Sequence, residues 1–174
     1  MPEGTRTRRM AVAGARVTAA LLLALALGAG VSPATSFECP RWRAAFAAMP
    51  TRTITIESEG RPLGVTVKIA RTGEELAAGF QCATPAEIDR HLILFDFGRE
   101  ILTQFHMSNV PAPLDIAFIK GDGRIFSILQ MAPSPTRLYG PMGAFRFALE
   151  AREGFYASRG IQPGAARLVF PAPR

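Results

Sequence analysis

A chain of 174 residues that is 48% hydrophobic and 20% charged holds enough apolar material for one domain with its own core and little more. Its formal net charge of +6 comes from scattered arginines and lysines that do not alternate with aromatics, which removes nucleic acid from the expected partners. With only two histidines, His91 and His106, a histidine-rich zinc site or a standard serine triad has little material.

Met1 to Arg16 carries Arg6, Arg8, Arg9 and Arg16 against the single acid Glu3, and residues 17–27 follow as a nearly pure apolar run ending in small residues from Gly28 to Ser36. This is the pattern of a secretory signal peptide. Cleavage is expected within residues 30–36, after Ala34 or after Ser36. The apolar run falls short of the roughly 20 residues a span needs, so no stable membrane span is expected once the signal is removed. Arg8-Arg9 lacks the surroundings of a twin-arginine signal, and Glu38 before Cys39 is unsuited to lipid attachment. Loss of residues 1–34 removes four arginines and one glutamate and lowers the net charge from +6 to +3. The expected organisation is a signal over 1–34, an N-terminal arm and first strand over 35–63 and a domain over 64–170, exported to the periplasm or secreted. Weak attraction to anionic envelope polymers stays open.

Cys39 and Cys82 both lie in the exported part, and an oxidising compartment favours their pairing. The loop so closed, about forty residues, corresponds to roughly 3–4 kcal/mol in the chain-entropy model. The alternative is two separate thiols, one a soft metal ligand or nucleophile, but no histidine adjoins either in sequence to activate it.

In chain order, Pro40 to Met49 spaces Trp42, Phe46 and Met49 as one face of a short helix. Thr51 to Glu57 and Gly64 to Ala70 alternate as half-buried strands, joined as a hairpin across Glu59-Gly60-Arg61-Pro62. Thr72-Gly73-Glu74-Glu75 and Thr84-Pro85-Ala86-Glu87 are capping boxes that each open a short helix. Leu92 to Phe95 is apolar on both faces, as a buried strand would be. Thr103 to Asn109 is expected as the next strand, with Phe105, Met107 and Asn109 on one face, broken by Pro111 and Pro113. Leu114 to Ile119 and Arg124 to Met131 form a hairpin about Lys120-Gly121-Asp122-Gly123. Pro133 to Gly143 is expected as a surface loop, Phe145 to Ala151 as a strand, Arg152 to Arg159 as a short helix stopped by Gly160, and Ala166 to Phe170 as the last strand. No internal repeat is present. The implied class is α+β, mainly antiparallel β: a curled sheet or partly open barrel with short peripheral helices.

The stretch from Phe105 to Phe118 resembles the signature of a bacterial and archaeal family known as domain of unknown function 192, whose members read F-W-M-K-N-T, two residues, then P-L-D-I-x-F. Phe105, Met107, Asn109, Pro113, Leu114, Asp115, Ile116 and Phe118 match it in place. The resemblance extends over about residues 64–170. It takes in Gly79, Leu94 and Phe95, then Leu149-Glu150, Gly154, Gly160-Ile161 and Gly164. Members usually have G-L-M and G-M-L-F where this chain has Gly79-Phe80-Gln81 and Leu92 to Phe95, so two methionines are lost. The family implies a curled, mostly antiparallel fold and brings no settled activity.

Asp115 begins a strand that is apolar on both sides, so its carboxylate must be hydrogen-bonded or neutralised. It could cap amides freed by the Pro111–Pro113 break or stand at a pocket mouth with a raised pKa. Glu150, at a strand end, could cap the following helix or join Asp115 as the second carboxylate of an acid/base or metal-binding site. Their pairing rests on both being family positions. His106 stands where the family has tryptophan; beside Met107 it suggests soft-metal binding, but adjacent strand residues point to opposite faces. Asn109 could bond the turn or read a ligand, and Tyr139 could be a gate or a lid. No phosphate loop, H-E-x-x-H, C-x-x-C or G-x-S-x-G occurs, so no cofactor is expected. The expected function is a non-catalytic binding or envelope-associated module whose pocket near Met107, Asn109, Asp115 and Glu150 takes a small polar or glycan-like ligand. A hydrolase or lyase using Asp115 and Glu150 is the alternative, and metal handling the third.

Overall fold

The computed structural model of the chain describes residues 39–170, so the signal segment lies outside the described residues. Helix α1 (Cys39–Ala48) buries Trp42, Ala45 and Phe46, and the Met49 that follows is buried as well. Strands β1 (Thr51–Ser58) and β2 (Arg61–Ala70) pair antiparallel, from Thr51 opposite Lys68 to Ser58 opposite Arg61. The turn between them is tighter than the four residues expected, because Glu59 and Gly60 both take positive φ (51° and 74°) and Arg61 is already in the strand.

Helices α2 (Gly73–Ala78) and α3 (Pro85–Arg90) are each opened by a reciprocal capping box, Thr72 with Glu75 and Thr84 with Glu87. In helices only six residues long these caps satisfy much of what the helix cannot satisfy internally. Strand β3 (Ile93–Ile101) runs parallel to β2 and antiparallel to β8 (Phe145–Arg152). It extends beyond the expected Phe95 and carries an irregularity between Asp96 and Ile101.

The expected strand over Thr103–Asn109 is reduced to β4 (Phe105–His106), which pairs with β7 (Leu138–Tyr139) inside the expected surface loop. Asn109 sits at φ 59° and turns the chain before the prolines, so the alternation placing Met107 and Asn109 on one strand face does not arise. The hairpin of β5 (Leu114–Ile119) and β6 (Ile125–Met131) forms as its glycine turn predicts. After β8, the expected helix from Arg152 contracts to one 3-10 turn over Ala157–Arg159, because Gly154 at φ 74° breaks the helical path. The last strand is β9 (Ala166–Val169).

Apart from β4 and β7, which form a separate two-stranded sheet, these strands form one seven-stranded sheet in the order β6-β5-β8-β3-β2-β1-β9. The sheet curls until its edge strands meet: Arg124 bridges Arg167, the Leu168 amide donates to the Gly123 carbonyl at 2.7 Å, and the Gly164 amide donates to the Ile125 carbonyl at 2.8 Å. The fold is therefore α+β, a nearly closed half-barrel. One core fills the curl, with Ile54, Ile56, Ile69, Leu94, Leu149 and Leu168 among its members. A second core on the other face of β3, β5 and β8 packs Phe95, Ile116, Phe118 and Phe145 beneath α1, Ile88 of α3 and the residues at the end of α2. The Cys39–Cys82 disulfide ties the start of α1 to the link between α2 and α3. Arg43 reinforces the tie by donating to the Cys82 carbonyl at 2.9 Å and to both carboxylate oxygens of Glu87.

Candidate functional site

Three polar residues are buried among the described residues: Gln81, Asp115 and Glu150. Their positions follow from the pairing of β5 with β8, in which Ile116 stands opposite Glu150 and Asp115 opposite Ala151. Directly paired residues share a face and neighbours along a strand alternate. Glu150 therefore belongs to the face that carries Ile116 and the helices, and Asp115 to the face that carries Ala117 and Ala151 inside the curl. The sheet lies between the two carboxyls, so a substrate in one cleft cannot touch both, and the acid/base pair considered above is not assembled.

Glu150 is 4% exposed, and its Oε2 has no hydrogen-bond partner among the described residues. Burial alone pushes its carboxyl up to about 8, so it is mostly neutral at pH 7. It caps no helix. Instead it lines a cavity of about 150 Å³ together with Gly79, Gln81, Phe95, Phe97, Phe105 and, toward the mouth, His106. The wall is aromatic: Phe95 and Phe97 are stacked with centroids 6.5 Å apart, and Phe105 stands at 85° to the first and 81° to the second.

Gly79 makes room for this arrangement. It ends α2 at φ 47°, and a Cβ there would lie 3.3 Å from Phe95 Cζ and 3.5 Å from Glu150 Oε2. Gln81 is held on both sides of its amide, donating from Nε2 to the Ala77 carbonyl at 2.7 Å and accepting at Oε1 from Asn109 Nδ2 at 3.3 Å. Asn109 in turn accepts the Cys82 amide at its carbonyl, 2.8 Å away. Its role is to lock the turn and the cavity wall together.

Asp115 is 3% exposed and borders a separate hollow of about 370 Å³ with Gln130, Tyr156 and Gln162. Desolvation raises its pKa above the ordinary carboxylate value, and the amide dipoles of Tyr156, Gly154 and Phe155 pull in the opposite direction. Its Oδ1 has no partner in hydrogen-bonding geometry, so those amides act on it chiefly as oriented dipoles. The amides that face it belong to the turn after β8 and not to the Pro111–Pro113 break. Tyr156 beside it donates its phenol proton to the Leu149 carbonyl at 2.6 Å, and burial lifts that phenol well above its usual range.

The remaining sequence candidates separate. Met107 is buried in the outer core while His106 is exposed, so the two face different surroundings. Among the described residues no three histidine, cysteine, aspartate or glutamate side chains gather as a metal site would need. Tyr139 is buried, and its hydroxyl accepts from the Ala132 amide and donates to the Ala132 carbonyl, both at 3.0 Å. It pins the loop over the core.

Sequence reasoning missed the phenylalanine wall and the part played by Gly79 and Gln81. The available signals were the family glycine at 79 and a glutamine where the family usually has methionine.

A curled α+β half-barrel with a buried carboxyl under a short-helix cap is the class that these features define. The sequence model of the DUF192 family, described as "Uncharacterized ACR", matches residues 54–168, and the chain belongs to that family. No curated protein matches. Among solved structures, the chain is similar to a Sinorhizobium meliloti 1021 protein described as "a putative transcription regulator". The two share 25% identity over 69% of this chain and 93% of that one, with a TM-score of 0.63. It is also similar to a protein of unknown function from Novosphingobium aromaticivorans DSM 12444, at 26% identity over 73% of this chain and 96% of that one, again with a TM-score of 0.63.

Proposed function

We propose that the protein is an exported, non-catalytic binding module that holds a small polar ligand in the cavity over Glu150. The observation that carries this reading is the Glu150 Oε2 atom, buried without a partner at the edge of an open aromatic cavity. An unsatisfied buried polar atom costs roughly 1–3 kcal/mol, and a ligand that donates a hydrogen bond here recovers that energy. The phenylalanine rings offer apolar surface to the rest of the molecule, as a sugar-like ligand with one C–H face would use.

The export half of the reading rests on the arginine-led apolar segment over residues 6–27 and on the Cys39–Cys82 bridge. In that organisation residues 1–34 are removed, residues 35–63 form the arm and first strand, and residues 64–170 form the rest of the domain. Fractionation of a bacterial host expressing the full chain, with N-terminal sequencing of the product, tests it. A periplasmic product starting within a few residues of 31–37 is expected, and an intact cytoplasmic chain overturns it.

Ligand binding is tested by adding small sugars, polyols and amines to isotope-labelled protein and following the amides of Gly79, Gln81, Phe105 and His106. Shifts confined to these residues and abolished by Glu150→Gln support the reading. Shifts that cluster around Asp115 and Tyr156 instead contradict it.

A further inference from the structure

We infer that the Glu150 cavity takes the head group of an organic ammonium ion. This rests on the cavity being a ligand site, as proposed above, and adds the sign of the ligand's charge.

The lining of the cavity carries acid and no lysine or arginine. The chain carries 20 lysines and arginines, yet none lines this cavity; its titratable groups are Glu150 and, at the mouth, His106. An incoming anion meets a carboxyl and no cation.

The wall is built from Phe95, Phe97 and Phe105, two parallel and one perpendicular, and a cation seated over the face of such a ring is attracted by its quadrupole. The rim does not oppose a cation: the Gln81 amide is held at both ends, by the Ala77 carbonyl and by Asn109 Nδ2, and its oxygen keeps a second lone pair for an N–H donor.

A cation also changes Glu150 itself. The proton leaves the carboxyl for solvent as the ammonium arrives, giving a carboxylate–ammonium pair: RNH3+ + Glu150–COOH becomes the pair plus H+. Apart from His106 at the mouth, no titratable side chain of the packed elements lines the cavity to intercept this exchange. From α2 the cavity receives Leu76, Ala77 and Ala78, from β3 Phe95 and Phe97, and from β4 Phe105 beside His106. Ile116 of β5 and Ile88 of α3 belong to the same apolar core. The acids Glu75 and Glu87 are committed to their capping boxes. Tyr156 approaches only from the opposite face, with its hydroxyl held by Leu149.

The test is a titration of the folded protein with n-propylammonium, 1-propanol and propionate from pH 6 to 8, followed by calorimetry in buffers of different ionisation enthalpy and by the amide shifts of Gly79 and Phe105. Propylammonium is expected to bind well ahead of the alcohol and to release close to one proton at pH 6. Its affinity should climb by roughly tenfold per pH unit up to about 8. Glu150→Gln should remove the proton release and the pH dependence. Phe97→Leu, which keeps an apolar side chain at a half-buried position, should weaken propylammonium more than propanol and keeps the test valid if the first variant fails to fold. Including Nα-acetyl-lysine amide distinguishes a peptide lysine from a free amine as the source of the ammonium. If propanol binds as tightly as propylammonium, or affinity does not change with pH, the ammonium inference falls while the ligand site stands. If none of the probes shifts the cavity amides, both fall.

Discussion

A glutamate buried without a hydrogen-bond partner has to be neutral or liganded, and Glu150 is held in the first of these states. Its carboxyl is raised from 4.5 to about 8, and the sign of the consequence is fixed. Below pH 4.5 both folded and unfolded chains carry the proton. Between 4.5 and 8 the unfolded chain releases it and the folded one retains it, so stability falls with rising pH by about 1.4 kcal/mol per unit from this group. Glu150→Gln removes the penalty: urea unfolding should show the variant close to wild type near pH 4 and more stable by a few kcal/mol near pH 8. A constant difference across that range would contradict the assignment. At this scale the sequence marked Glu150 and Asp115 as polar residues in apolar strands, which is a local signal. Which face each occupies was not legible, because the β5–β8 register is set by chain segments thirty residues apart.

Short helices depend on what holds their ends. In α2 and α3 the capping boxes are legible from four residues each, since donor and acceptor lie within one turn. The disulfide was expected from cysteine count and compartment, and the structure adds what it joins: α1 and the linker that presents Gln81 to the cavity. Replacing both cysteines by alanine should lower stability by roughly 3–4 kcal/mol, read as a shift of the denaturant midpoint. The amides of α1, Gln81 and Asn109 should lose hydrogen-exchange protection before those of β5 and β8. Uniform loss across the sheet, or no loss at α1, would contradict this division. The elements that failed to appear had non-local or strained causes. The expected strand through Asn109 stops because that residue turns left-handed and β4 finds its partner in a loop more than thirty residues on. The expected helix after Arg152 gives way to a turn whose amides face Asp115.

Across the whole molecule, closure of the curled sheet depends on one glycine. Gly123 sits at φ 89°, and a Cβ there would stand 2.3 Å from the Leu168 carbonyl oxygen, against which the edge strands meet. Gly123→Ala has to shift β9 or give up the hydrogen bond from Leu168, and should cost at least ~2 kcal/mol; Gly60→Ala, at a turn with open space around it, should cost less. Equal losses in the two would mean that closure adds nothing to stability. The sequence displayed Gly123 as a hairpin residue and nothing more. Its second role depends on contact with a strand more than forty residues away, and alternation and turn chemistry, which made the individual strands and the β5–β6 hairpin readable, do not encode such contacts.

A neutral carboxyl facing an aromatic cavity is directly visible to carboxyl carbon NMR. A pH titration of protein labelled at glutamate side-chain carbons, with Glu150→Gln to assign the resonance, should show one glutamate titrating with a midpoint near 8. A midpoint near 4.5 would mean that Glu150 is solvated or bonded as an ordinary carboxylate, and the proposed cavity chemistry would go with it.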